Sequence, residues 1–338
     1  MITIDGSKGE GGGQLLRSSL TLSMITGQPF RIHQIRAGRK KPGLMRQHLT
    51  AVQAATAICS AEVRGDVIGS TELEFLPGSV QGGAYSFRVG TAGSTMLVLQ
   101  TIMLPLSLAA DASFIELEGG THNPFAPPFD FLAESFVPVI NRLGPRIELI
   151  LDRPGFYPAG GGRVSVSIEP AARLDELVLT ERGKPVSRNA RAVVSNLPRH
   201  IAERERSVIA GRLGWESSEV QVVEVNHAVG PGNIVTIAIG YENLTEVFTG
   251  FGEVGRSAEA VAMRAVQQCQ RYLKSTAPAG EFLTDQLMLP LVLAGRGTFR
   301  STGLSSHART QVELIGEFHD RPIQYRKLEG GSIEVSMG

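Results

Sequence analysis

The chain has 338 residues, of which 42% are hydrophobic and 20% charged, enough for two domains and for a core that needs no staples. That composition excludes disorder, collagen and coiled coil. Two cysteines, Cys59 and Cys269, are too few for a disulfide framework or a cysteine-rich zinc site and fit a reducing compartment. Lys plus Arg equals Asp plus Glu at 33 each, so no overall charge selects a partner.

The first residues, Met1-Ile2-Thr3-Ile4-Asp5, open a strand and lack the basic region of a targeting leader. The most apolar run, residues 95–110, is interrupted by Gln100 and Pro105 and falls short of the roughly 20 residues a bilayer demands. No membrane association and a cytoplasmic location are expected.

Gly9-Glu10-Gly11-Gly12-Gly13-Gln14 joins the first strand to a helix over Gln14–Thr26. Such a turn lets backbone N–H groups approach a phosphate. It is no P-loop, because no Gly-Lys-Ser/Thr follows, and Gln14 stands where a dinucleotide fold wants its third glycine. Taken alone it is a tight turn that caps a helix. Glu10, an acid beside Arg17, adds a group able to hold a divalent cation against phosphate oxygens.

Local charge is lopsided. Residues 11–61 contain no Asp or Glu but carry Arg17, Arg31, Arg36, Arg39, Lys40, Lys41 and Arg46, seven cations in 51 residues. A segment so one-signed faces an anion, or is balanced by acids from elsewhere in the fold. Pro42 is expected to open the helix that runs to Cys59, with Met45, Leu49, Val52 and Thr56 facing inward. Cations on a loop that feeds a helix N-terminus make a phosphate cradle. No aromatic residue is interleaved with them, so base stacking is not implied.

Residues 20–30, 106–114 and 291–299 share one layout: an apolar helix, a short turn, and a strand that opens on Phe30, Phe114 or Phe299. The last two copies also share a preceding Leu-Pro, Leu104-Pro105 and Leu289-Pro290. A repeated α/β unit is expected. The copies are unevenly spaced. Between the second and third lie strands over 190–195, 220–225 and 234–239 and helices over 200–213 and 257–274. An inserted α/β domain over 184–276 is expected there, with 1–183 and 277–338 forming the large domain.

None of the seven histidines has the spacing of a zinc protease. His200 and Glu203 could share a metal, though with Arg199, Arg204 and Glu205 they read more simply as a salt-bridged surface helix. His307 differs, because Ser305 or Ser306 can cap a helix that begins there. The positive helix end disfavours imidazolium and keeps the ring neutral and nucleophilic. A neutral histidine can attack phosphorus and form a covalent intermediate. In Gly280-Glu281-Phe282-Leu283-Thr284-Asp285-Gln286, Thr284 or Asp285 is expected to cap a helix. Phe282 could stack on a purine there, and Asp285 could bind a ribose hydroxyl or a metal.

Together these segments resemble the RNA 3′-terminal phosphate cyclase family. The resemblance runs in order along nearly the whole chain. It is carried by Gly9-Glu-Gly-Gly-Gly-Gln14, Ile35-Arg-Ala-Gly-Arg39, Lys41-Pro-Gly-Leu44 with Arg46-Gln-His48, and Gly93-Ser94 with Leu97-Val-Leu-Gln100. It continues through Gly119-Gly-Thr121 with Asn123-Pro and Ala126-Pro-Pro128, Gly155-Phe-Tyr-Pro-Ala-Gly-Gly-Gly162, Pro198-Arg-His-Ile-Ala-Glu-Arg204 and Asp285-Gln286. The family implies an α/β fold: a large domain of repeated βαβαββ units, similar to those of enolpyruvyl transferases, carrying a smaller insert.

The resemblance further implies an ATP-dependent enzyme that adenylylates a histidine, here His307, and converts an RNA 3′-phosphate to a 2′,3′-cyclic phosphate. It implies ATP contacts from Gln100, Pro127, Phe282, Leu283, Thr284, Asp285 and Gln286, with Pro127 and Phe282 near the adenine. Arg17, Arg36, Arg39, Arg46, Gln47 and His48 would hold phosphates of ATP or RNA, and Glu10 a divalent metal, Mg or Mn. Gln311 stands where relatives usually carry Asn, and Phe282 where many carry Tyr or His. Cyclase-like binding factors of ribosome assembly share the fold but lack the nucleophile, so His307 and Glu10 point to the catalytic branch.

Overall fold

The structure is a computed structural model that describes residues 1–9 and 11–338. The expected repeats are present as three units of the same βαβαββ order. The first comprises β1 (Ile2–Asp5), α1 (Gln14–Thr26), β2 (Phe30–His33), α2 (Arg46–Cys59), β3 (Glu62–Arg64) and β4 (Leu73–Leu76). Its sheet order is β1-β2-β4-β3, with β1 parallel to β2 and the other pairs antiparallel.

The second unit has β5 (Ala84–Arg88), α3 (Thr95–Leu106) and β6 (Ser113–Gly119). Its second helix runs from α4 (Phe129–Phe131) through a π-turn at Leu132–Phe136 into α5 (Val137–Asn141), before β7 (Arg146–Arg153) and β8 (Gly162–Glu169). The order β5-β6-β8-β7 repeats the first sheet.

The third unit opens on β9 (Leu177–Leu179) and is then interrupted. The chain builds β10 (Pro185–Ser195), α6 (His200–Leu213), β11 (Val220–Val225), β12 (Gly232–Tyr241), β13 (Thr245–Phe251) and α7 (Ala258–Leu273). It then returns to α8 (Glu281–Ala294), β14 (Gly297–Ser301), α9 (Ser306–Phe318), β15 (Gln324–Lys327) and β16 (Ile333–Met337). Parallel pairing of β9 with β14 closes the unit around the excursion.

The three look-alike segments are thus the first helix and second strand of each unit. Their Leu-rich helices are apolar on nearly every side and pack into one core that includes Leu16, Leu20, Val98, Ile102, Leu287 and Leu291. The β10–β13 sheet, backed by α6 and α7, buries a second cluster around Ala192, Ile237, Val261 and Cys269. Its β12 is buried from Gly232 to Gly240 because helices cover one face and the large core the other. Among the described residues, no helix is long and apolar enough to cross a membrane.

Two local expectations change. Pro42 does not open α2. Residues 43–44 pair with 69–70 through Leu44 N–H to Ser70 O at 2.9 Å and Gly69 N–H to Leu44 O at 2.8 Å. Gly43 sits there at φ +79, where an added Cβ would be 2.3 Å from Gly69 O. The helix therefore waits until Arg46, and its inward face rotates to His48, Ala51, Val52, Ala55 and Ile58, leaving Met45 exposed. At the third unit the helix cap is Gly280, so Thr284 and Asp285 lie inside the first turns of α8.

Candidate active site

The N-termini of α1, α2 and α9 converge. Among the glycines of the turn before α1, an added Cβ at Gly9 would lie 2.1 Å from Thr310 Oγ1 on α9. At Gly11 it would lie 2.8 Å from the Gly38 N, at Gly12 2.8 Å from an Arg39 guanidinium nitrogen, and at Gly13 2.5 Å from His48 Nε2. The run is glycine because the basic loop and the His307 helix press on it from both sides. Glu10, the expected metal ligand, lies outside the described residues.

His307 is the second residue of α9, whose N-cap is Ser305, with Ser305 Oγ accepting the Ala308 N–H at 2.9 Å. The ring meets Gln14, where Nδ1 and Oε1 are 2.6 Å apart. The Gln14 amide nitrogen already donates to Gln311 Oε1 at 3.0 Å and to the His307 carbonyl at 3.3 Å. Its oxygen can only accept, so Nδ1 carries the proton and, in the neutral ring, the lone pair sits on Nε2. Sequence reasoning treated Gln14 only as a missing glycine. The available signal was a bare amide at the first helical position directly after the glycine run.

Gln14, Arg17, Gln100, Asp285, Gln286 and Gln311 line one cleft with Ser18, Thr21, Leu104, Phe136 and Leu289. Gln100 donates to Gln286 across it, joining α3 to α8. Asp285 Oδ1 accepts the Ser305 hydroxyl at 2.6 Å, fixing α8 against the start of the His307 helix. Leu283 is packed in the core, and the fully buried Thr284 bonds the Gly280 carbonyl at 2.8 Å and Ser301 Oγ at 2.5 Å. Within 282–286, then, the side chains of Asp285 and Gln286 face the cleft. Phe282 is exposed and Pro127 half-buried, both outside that cleft lining.

The cations sort themselves. Arg31 is neutralised by Glu72 at 2.7 Å in an ordinary exposed surface pair. Arg36, at φ +57, spends its guanidinium on the carbonyls of Lys41 and Gly43, both at 2.8 Å, and holds the basic loop in shape. Burial pushes the Arg17 guanidinium down to about 10, and no acid among the described residues offsets it. Gln47 Oε1 accepts the Ser94 N–H at 3.0 Å and ties α2 to the second unit.

His48 is held neutral. Burial foremost, and then Arg17, Arg36 and Arg39, push it down to about 3. Its Nδ1 accepts the Met45 N–H at 3.3 Å, so Nε2 carries the hydrogen and points it at the glycine turn. A neutral donor among three guanidinium groups suits a phosphate oxygen.

The glycine turn, the basic loop and His307 therefore meet in space as the family motifs require. A family model described as RNA 3′-terminal phosphate cyclase matches residues 8–325. The chain belongs to the RNA 3′-terminal phosphate cyclase family. It is 51% identical over 318 residues to the RNA 3′-terminal phosphate cyclase of Koribacter versatilis, covering 94% of this chain and 90% of that protein. To the protein of that name from Salmonella typhimurium it is 48% identical over 318 residues, 94% and 93% of the two chains. To that of Salmonella paratyphi C it is 48% identical over 336 residues, covering 99% and 96%.

Among the described residues no group of three or more His, Cys, Asp or Glu side chains could hold a metal ion.

Proposed function

We propose that this chain is an ATP-dependent RNA 3′-terminal phosphate cyclase working through a histidine–AMP intermediate. Family membership supports the reading, and the contact between Gln14 and His307 carries it, because it fixes the tautomer that the chemistry needs. Residues 1–183 and 277–338 form the catalytic body in this reading, and 184–276 the insert.

His307 Nε2 attacks the α-phosphorus of ATP. An N–P bond forms, the α–β anhydride breaks and pyrophosphate leaves. The ring becomes cationic, and its Nδ1–H stays bonded to the Gln14 oxygen, which is placed where the charge develops. An oxygen of the RNA 3′-phosphate then attacks the same phosphorus, breaking the N–P bond and giving RNA(3′)pp(5′)A. The vicinal 2′-hydroxyl attacks the 3′-phosphorus, loses its proton, expels AMP and closes the 2′,3′-cyclic phosphate.

Arg17, Arg39, Arg46 and His48 supply the donors that hold these phosphates in line, and Arg36 keeps their loop folded. Gln100, Asp285 and Gln286 receive the nucleoside, with the exposed ring of Phe282 and Pro127 available to the adenine. Glu10 would hold a divalent ion, which would supply charge neutralisation of the triphosphate. Arginine contacts to backbone phosphates imply weak base preference and strong salt dependence.

The test is incubation with α-labelled ATP and a divalent metal without RNA. An acid-labile, alkali-stable protein–AMP adduct is expected from the native chain and absent from His307→Ala. An adduct that survives in His307→Ala would assign the nucleophile elsewhere. No adduct from folded native protein, across metals and pH, would favour a non-catalytic binding factor.

A further inference from the structure

The basic loop over residues 35–48 carries no Phe, Tyr or Trp, yet the fold brings aromatics close to it. Residues 90–94 are the meeting point. On one side they touch the start of α2: Gln47 Oε1 accepts the Ser94 N–H at 3.0 Å, and a Cβ on Gly90 would lie 3.8 Å from an Arg46 guanidinium nitrogen. On the other side two loops are zipped to them. Gly120 exchanges backbone bonds with Gly93 and Thr95 at 2.9 and 2.8 Å, and Asn123 donates its side-chain amide to the Ala92 carbonyl. Gly160 packs so closely on Ala92 that a Cβ would fall 2.8 Å from the alanine Cα.

Each loop carries an aromatic ring to the surface. Phe125 is 98% exposed and Tyr157 is 65% exposed. Phe125 sits at φ +63, a backbone state that phenylalanine rarely adopts. Its loop is not loose: Phe129 N–H closes on the Thr121 carbonyl at 3.0 Å, and His122 Nε2 bonds Asp130 at 3.0 Å across the loop. A rigid loop that holds a large apolar ring in water through an unfavoured backbone state calls for a functional cause.

We infer that Phe125, with Tyr157 on the neighbouring loop, is a stacking platform for the bases of the RNA just 5′ of its terminal phosphate. This rests on the cyclase reading above and deepens it by naming where the strand leaves the site. Cations track the phosphates and exposed aromatics take the bases, the usual division of labour for single-stranded nucleic acid. Stacking tolerates any base, in keeping with the weak base preference that phosphate contacts imply.

The experiment compares the native full chain with Phe125→Ala and Phe125→Trp, neither of which disturbs the core. Each is given a 3′-phosphorylated oligoribonucleotide and the same oligomer with abasic residues at its last two positions. Cyclisation KM, RNA binding by fluorescence anisotropy, and self-adenylylation without RNA are measured. Phe125→Ala is expected to raise KM and Kd about tenfold for the natural oligomer, with no change for the abasic one and none in self-adenylylation. Phe125→Trp is expected to restore both.

Equal KM and Kd for Phe125→Ala and native protein would overturn the platform, as would equal weakening on both oligomers. A loss confined to self-adenylylation would give the ring to the adenine of ATP and overturn it too. If the native chain forms no adduct and no cyclic phosphate, the cyclase reading fails, while anisotropy on the two oligomers still decides the platform.

Discussion

Gln14 Oε1 and His307 Nδ1 lie 2.6 Å apart although 293 residues separate them in the chain. The contact needs the first helix of the first unit and the second helix of the third to start at one point. Gln311, one turn into α9, holds the glutamine amide the right way round. Gln14→Leu frees the ring to choose its tautomer and removes the acceptor for the developing imidazolium. Self-adenylylation should slow by about 10–100-fold, as for other partners that orient a reactive histidine. A rate equal to native would remove Gln14 from the mechanism.

Gly13 separates steric from backbone effects. Its φ of −83 is open to any residue, so alanine there strains no dihedral. Its Cβ would still fall 2.5 Å from His48 Nε2, a buried ring with nowhere to go. At Gly12 the obstacle is the end of Arg39 at 2.8 Å, which can swing aside. Gly13→Ala is therefore expected to raise the KM for ATP or RNA by about tenfold or more, the cost of misplacing one donor, and Gly12→Ala by less. Steady-state kinetics on both variants check the order, and Gly12→Ala as the more damaged of the two would contradict it.

Turn chemistry made the helices at 14–26 and 200–213 legible with their ends, because a glycine or proline signal marks each. The start of α2 was misread because Pro42 signals a helix locally, while residues 43–44 are claimed by a backbone pairing with 69–70 that only the folded chain reveals. The chemical identity of the site, glycine run, cations and His307, was visible as motifs. Its wiring was not: Gln14 with His307 and Gln100 with Gln286 join different repeats, and Asp285 with Ser305 joins two helices of the third, and no local pattern encodes such contacts. Phe125 escaped notice for the same reason, since its distance in sequence from the basic loop hides their shared neighbours at 90–94.

The neutrality of His48 has a consequence for acid stability. Its folded pKa is pushed down to about 3 from an ordinary 6.5. Below 6.5 the unfolded chain takes up a proton that the folded chain refuses, so this residue costs stability progressively as pH falls from 6.5 toward 3. His48→Gln, which cannot titrate, should flatten the acid limb of a plot of Tm against pH while leaving neutral pH little changed. An acid limb as steep as native would assign that slope to other groups.

Glu246 joins the inserted sheet to the nucleotide side of the site. From β13 its Oε1 accepts the N–H of Gly280, the cap of α8, at 2.5 Å, with Arg182 and Tyr272 nearby. Burial dominates and pushes the carboxyl up to about 8, against the pull of Gly280 and Arg182. The folded chain thus keeps a proton that the unfolded chain gives up from about 4.5 upward, and stability drains as pH rises toward 8. Glu246→Gln retains an oxygen for Gly280 and cannot ionise, so its Tm should exceed native at pH 8 and match it near pH 5. Glu246→Leu leaves a buried N–H unpaired, which costs about 1–3 kcal/mol at every pH. Because α8 carries Asp285 and Gln286, the leucine variant should also raise the KM for ATP with little change in that for RNA. A glutamine curve parallel to native across pH 5–8 would show that this carboxyl does not drive the alkaline loss. An unchanged KM in the leucine variant would show that α8 holds its place without the insert.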